Sequence, residues 1–218
     1  KILVILFMSN HNQTPLISVI ILCRNEEYFI EKCVVSIINQ KGIKSIEVLV
    51  VDGMSNDNTG IILKRLSNSY KNLKIFDNPS KTTPQALNIG IKNSKGEFVC
   101  IMGAHSEYDE YFLKNGLELL NDNPEVSCVG GPIVSIGNSN FGKAVALAMS
   151  SPIGVGNAKH RFPNYEGYAE MACFPLFRRE VFSQIGLYDE YFIRNQDDEF
   201  CIRLNKNGGK VFISPKVR

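Results

Sequence analysis

Three apolar runs, LISVIILC at 16–23, IEVLVV at 46–51 and EFVCIM at 97–102, each give way to a polar turn and then an amphipathic stretch. Runs this short and this apolar are strands covered on both faces, and strands that alternate with helices build a parallel sheet wound with helices. The first run predicts a helix opened by Asn25, with Glu26 and Glu27 in its first turn, running to about Gln40. After the second run a helix is predicted over 58–68, and a short strand follows at 73–76. Thr83 and Pro84 pair a cap with a first-turn proline, which opens a helix through Ile91.

Further on, the pattern predicts a helix over 110–121, extended chain over 126–134, and a small-residue helix over 141–151 that Pro152 should stop. An irregular Gly-rich and aromatic segment covers 153–168, and such a stretch inside a compact domain is more often functional than idle. Extended chain at 171–177, helices at 179–184 and 197–207, and a strand at 210–214 complete the expectation. A length of 218 residues holds these elements in one large domain.

The balance of 24 basic and 22 acidic residues, a formal charge of +2, gives no field that would gather nucleic acid, and no Lys/Arg run supplies one locally. The six cysteines form no Cys-x-x-Cys pair, as reduced core thiols of a cytosolic protein would not. Residues 2–8 (ILVILFM) are apolar throughout but far short of the ~20 residues that span a bilayer, so a strand or surface-packing arm is expected. Residues 1–15 are thus read as an N-terminal extension.

In an open α/β sheet, ligands sit beyond the carboxyl ends of the strands. Those ends carry Arg24, Asn25 and Glu26; Asp52, Gly53, Ser55 and Asp57; Lys81; and His105 with Ser106, Glu107 and Asp109. Carboxylates, cations and one imidazole together suit a nucleotide whose diphosphate is bound to a divalent ion. No G-x-G-x-x-G follows the first strand and no G-x-x-x-x-G-K-[ST] occurs, so neither a dinucleotide fold nor a P-loop is available.

Four ordered segments, SVIILCRNEE, EVLVVDGMSNDNT, PQALNIGIKNSKGEFVCI and GLYDEYFIRNQDDEFCIRLNKNGGKV, resemble the family 2 glycosyltransferases, with RNQDDEF most similar to the branch that elongates exopolysaccharides. The resemblance covers 16–215. It implies the GT-A fold, a Rossmann-like α/β arrangement with a mixed, mostly parallel sheet flanked by helices. Residues 16–218 would form the catalytic domain, with a nucleotide half at 16–109 and an acceptor half at 110–218.

By the same resemblance, Arg24, Asn25 and Glu26 flank the base and ribose, Asp52 accepts from the base, Lys81 meets the diphosphate, and Asn88 holds the family's N-x-G-I position, where ribose contact and local helix packing both stay open. Asp197 is the implied catalytic base, with Gln196 where the family usually has Glu. Asp198, Arg203, His160 and Arg161 are weaker candidates for orienting groups or acceptor contacts. The family's metal motif begins with Asp, but here the segment is Gly103-Ala104-His105, which leaves His105 as the implied ligand of Mn²⁺ or Mg²⁺, with Glu107 and Asp109 close enough in sequence to help.

The implied activity is inverting transfer of a sugar from a nucleoside-diphosphate sugar, UDP favoured, to a saccharide or lipid-linked acceptor. Its implied place is the cytoplasm, at the inner face of the cell membrane with peripheral contact. Gly103 supports a second reading, a sugar-nucleotide-binding protein with little or no activity. A nucleotidyltransferase is disfavoured by the absence of glycine between Cys23 and Glu27. The expected length is that of a catalytic core within a longer chain.

Overall fold

The computed structural model describes residues 15–106, 108–137 and 139–217. The apolar run at 2–8 and Glu107 lie outside the described residues. The elements are β1 (Ile17–Cys23), α1 (Ile30–Ile38), β2 (Ile46–Asp52), α2 (Thr59–Ser69), β3 (Leu73–Asp77), α3 (Thr83–Asn93), β4 (Phe98–Gly103), α4 (Phe112–Asp122) and β5 (Cys128–Gly131). They continue with α5 (Asn140–Ala148), α6 (Pro152–Val155), β6 (Gly167–Ala169), β7 (Cys173–Arg178), α7 (Glu180–Ile185), α8 (Gln196–Lys206) and β8 (Val211–Ile213).

Eight strands form one sheet in the order β3-β2-β1-β4-β7-β5-β8-β6. The pairs β3-β2, β2-β1, β1-β4 and β5-β8 are parallel, while β7 runs antiparallel to both its neighbours and β6 to β8. Because side chains alternate along a strand, each central strand feeds two cores. Val19 and Ile21 pack with Val34 and Ile37 of α1, Leu63 of α2 and Leu113 of α4 on one face. Ile20 packs with Leu87 of α3, Phe182 of α7 and Phe200 of α8 on the other. Burying a side chain of this size contributes about 1.5–3 kcal/mol, and this double coverage is why the strands read as continuous apolar runs.

A buried carboxylate fixes the parallel register at the opposite end from the strand tips. Glu47 on β2 accepts from Ser18 Oγ of β1 at 2.8 Å, Lys74 Nζ of β3 at 2.8 Å and the Lys95 backbone N–H at 2.6 Å. Burial alone would raise its pKa, but these donors outweigh that and hold the carboxyl below its ordinary value.

Two local expectations are corrected. Asn25 does not cap the first helix, which begins five residues later at Ile30. Its backbone is left-handed (φ 58), its amide donates to Ser55 Oγ and its side-chain oxygen accepts from the Asn56 N–H, each at 2.9 Å. Pro152 does not stop the helix before it, since α5 has already ended at Ala148; it opens α6, with Ser151 accepting from the Gly154 N–H. Proline serves both roles because its missing N–H is harmless in a first turn. β6, a three-residue strand inside the segment read as irregular, pairs with β8.

Candidate functional site

From β1 the chain winds outward through β2 to β3 and then returns to β4 on the other side of β1. Loops after β1 and β4 therefore diverge, and a crevice opens at their carboxyl ends. A cleft of about 500 Å³ lies there. Arg24 and Glu26 line it after β1, Gly53 after β2, Lys81 and Thr82 after β3, and Gly103 to His105 after β4. Cys173 to Pro175 of β7 and Gln196 with Asp197 of α8 close the far side. The structure thus gathers Arg24, Glu26, Lys81, His105 and Asp197, which lie up to 173 positions apart in sequence.

The loops after β1 and β2 hold each other. Glu26 N–H donates to Thr59 Oγ1 at 2.8 Å and Glu27 N–H to Asp57 at 3.2 Å, while Asp57 also accepts from the Thr59 N–H at the start of α2. Asp52 is buried between Val51 and Gly53, both on the cleft wall. Its carboxylate accepts from Ser55 Oγ at 2.5 Å and from the Ser55 N–H at 3.2 Å, and Ser55 Oγ in turn receives the Asn25 N–H. Asp52 therefore anchors the loop after β2 and is itself not part of the cleft lining.

Lys81 stands exposed at the rim in a left-handed conformation (φ 61). Buried Asn78 shapes its turn, donating to the Thr82 carbonyl and accepting from Ser80 Oγ. Sequence reasoning passed over Asn78, although Asn-Pro at 78–79 is a turn signal. It also passed over Thr82, whose buried hydroxyl lacks a hydrogen-bond partner and which lines the cleft at the entry to α3. A buried polar atom left unpaired costs free energy, so this hydroxyl is suited to a ligand.

Asp197 lies exposed in the first turn of α8, where its Oδ1 accepts from the Asp198 N–H at 3.1 Å. Negative charge at a helix N-terminus is favourable, and the turn also carries Asp198 and Glu199. Asp198 faces a separate shallow groove with Phe192 and Ile202. Arg203 does not reach the cleft: it makes a bidentate pair with Glu199 at 2.7 and 2.8 Å and donates to the carbonyls of Ile185 and Leu187. His160 and Arg161 sit in a 3₁₀ turn (Lys159–Arg161) outside the cleft lining. Burial, then the Arg161 charge, pushes the His160 imidazole below its ordinary pKa, while Asp198 and Asp197 act in the opposite sense.

Asn88 lies outside the cleft lining. It is buried, donates to the Tyr188 carbonyl at 2.9 Å and to Glu190 at 3.0 Å, and accepts from the Tyr188 N–H at 3.0 Å. All six cysteines are free thiols. Burial raises their pKa values, to about 12 for Cys33, as inert core thiols require.

Among the described residues no group of three or more His, Cys, Asp or Glu side chains could hold a metal ion. The nearest approach is a pair, His105 Nδ1 and Glu26 Oε1 at 3.4 Å on the cleft wall. An imidazole and a carboxylate beside open space fit a divalent ion whose other positions are filled by phosphate oxygens.

The model of "Glycosyl transferase family 2" matches residues 18–186. Among curated proteins, the chain is 32% identical over 213 residues to the dolichyl N-acetyl-alpha-D-glucosaminyl phosphate 3-beta-D-2,3-diacetamido-2,3-dideoxy-beta-D-glucuronosyltransferase of Methanococcus voltae, covering 92% of this chain and 65% of that protein. It is 30% identical over 214 residues to the succinoglycan biosynthesis protein ExoA of Rhizobium meliloti, covering 96% and 64%. The chain therefore spans a little under two thirds of these relatives. In fold it is similar to S. aureus TarS 1–349 in complex with UDP (TM-score 0.71, 19% identity, 90% of this chain and 57% of that one). It is also similar to the mannosyltransferase PcManGT of Pyrobaculum calidifontis in complex with GDP-Man and Mn²⁺ (TM-score 0.68, 20% identity, 94% and 56%). The sheet with its flanking helices is thus the GT-A fold, and the match over most of its length shows that the chain belongs to glycosyl transferase family 2.

Proposed function

We propose that residues 16–218 are the catalytic core of an inverting glycosyltransferase that takes a sugar from a nucleoside-diphosphate sugar and adds it to a saccharide or lipid-linked saccharide during polysaccharide synthesis. The observation that carries this is the convergence of Asp197 with Arg24, Glu26, Lys81 and His105 on one cleft at the β1/β4 switch point. The nucleotide half is 16–109 and the acceptor half 110–218. Arg24, Asn25 and Glu26 face the nucleoside, and Asp52 accepts from the base. UDP is the favoured nucleotide.

Asp197 takes the proton from the acceptor hydroxyl as that oxygen attacks the anomeric carbon, and the configuration inverts. Lys81 and Arg24 offset the charge of the departing diphosphate, and Thr82 offers it a hydroxyl. His105 would hold the divalent ion, Mn²⁺ or Mg²⁺, which supplies Lewis-acid stabilisation of the leaving group when bound. Asp198, Arg203, His160 and Arg161 act indirectly, Arg203 by pinning the 185–187 turn ahead of α8.

Calorimetric titration with UDP and GDP, each with and without Mn²⁺, tests the reading. Binding of one diphosphate that tightens with Mn²⁺ is expected. Binding that ignores the metal would favour a sugar-nucleotide-binding protein of little activity, which Gly103 supports, and no binding of either would sink both.

We place the enzyme at the inner face of the cell membrane, in peripheral contact. No helix among the described residues is long and apolar enough to cross a membrane. α5 buries none of its residues and exposes Phe141, Val145 and Leu147, and Ile153 of α6 is fully exposed. The triple change Phe141→Ser, Leu147→Ser and Ile153→Ser should cut co-sedimentation with anionic lipid vesicles by about tenfold or more. Equal sedimentation of wild type and variant would remove this face from the membrane.

A further inference from the structure

The tip of β4 carries no acid where it meets the cleft, and the structure shows what stands there instead. A Cβ on Gly103 would lie 3.0 Å from the Phe174 ring and 3.4 Å from Ser106 Oγ. Phe174 holds a left-handed backbone (φ 50), and its ring packs edge-on against Tyr108 with centroids 5.6 Å apart. The Tyr108 hydroxyl accepts from the Gly103 N–H at 2.7 Å and donates back to its carbonyl at 3.3 Å. A side chain at position 103 would therefore crowd the Phe174 ring, which would have to give by a few tenths of an ångström.

Among the described residues, the carboxylate that meets His105 comes from the loop after β1. Glu26 Oε1 stands 3.4 Å from His105 Nδ1, with the glutamate largely buried and the imidazole exposed. The glutamate is held by its backbone: its N–H donates to Thr59 and its carbonyl accepts from the Phe29 and Ile30 N–H groups at 2.9 Å. A charge-assisted hydrogen bond draws its atoms to about 2.7–2.9 Å. A gap of 3.4 Å is longer than that and close to the roughly 3 Å that separates adjacent donors on one octahedral cation with bonds of about 2.1 Å.

We propose that Glu26 and His105 together form the protein half of a divalent cation site, with Glu26 supplying from the loop after β1 the carboxylate that Gly103 at the tip of β4 lacks. The diphosphate of the bound nucleotide supplies the other half, so the proposal rests on the glycosyltransferase reading for its anion. One imidazole and one carboxylate favour Mn²⁺ over Mg²⁺, which prefers an all-oxygen shell.

The test is Mn²⁺ titration of the chain, followed by electron paramagnetic resonance, with UDP present and absent, alongside UDP affinity measured without metal. Wild type should retain Mn²⁺ when UDP is bound. Glu26→Gln, which keeps shape and loses charge, and His105→Ala should each weaken that Mn²⁺ affinity at least tenfold, with thermal melts unchanged. Glu26→Gln should weaken UDP affinity several-fold more in the presence of Mn²⁺ than in its absence. If Glu26→Gln holds Mn²⁺ as wild type does, or loses UDP equally with and without metal, Glu26 serves the nucleoside alone and the proposal is overturned. Wild type that binds UDP but no Mn²⁺ also overturns it while leaving the transferase reading intact; wild type that binds no nucleotide removes both.

Discussion

Asp197→Asn is expected to lower sugar transfer by about 10²- to 10⁴-fold while leaving UDP affinity within about twofold. The amide keeps the size of the carboxylate, and its oxygen can still accept from the Asp198 N–H, so the first turn of α8 is preserved. What disappears is the only proton acceptor that α8 contributes to the cleft wall, since Gln196 beside it cannot take a proton and Asp198 faces another groove. In the proposed reading the nucleotide contacts belong to the loops after β1, β2 and β3, across the cleft from α8, which is why binding and transfer should separate. Transfer from a radiolabelled nucleotide sugar and calorimetry with UDP read the two quantities independently. A variant that transfers at the wild-type rate would take Asp197 out of the mechanism.

The sheet was legible because its central strands are buried on both faces: Val48, Leu49, Val50 and Val51 have no exposed surface, and such a run has no other stable fate. Strand ends then announced the site, because polar residues that follow a buried strand must lie at its tip. Less legible was every feature decided by partners distant in sequence. Asn25 followed by two glutamates has the composition of a helix start, yet the loop at 53–58 offers it a hydroxyl and an N–H, and those bonds hold it outside the helix. Phe174 lies in an ordinary apolar strand pattern, and nothing in that pattern reports that its ring covers Gly103, 71 positions earlier. β6 has only three residues, too few for an alternation to show.

Asn88 is the sharpest case of a position whose importance was visible and whose role was not, and its removal should have the largest effect on stability. The side chain spans from α3 to the connection before α8 and pairs with both backbone groups of Tyr188, 100 positions away. Tyr188 is buried and stacks on Phe200 of α8, with ring centroids 4.3 Å apart and planes 19° from parallel. Asn88→Ala leaves the Tyr188 N–H and carbonyl buried without partners, at about 1–3 kcal/mol each, so a loss of about 3 kcal/mol is expected. For a domain of this size that lowers Tm by about 6–12 °C. Transfer should fall as well, because Phe200 sits one turn beyond Asp197 and the stack sets the position of α8. UDP affinity, measured well below the new Tm, should stay within about twofold. An unchanged Tm together with weakened UDP binding would return Asn88 to the nucleotide and break the link between α3 and α8.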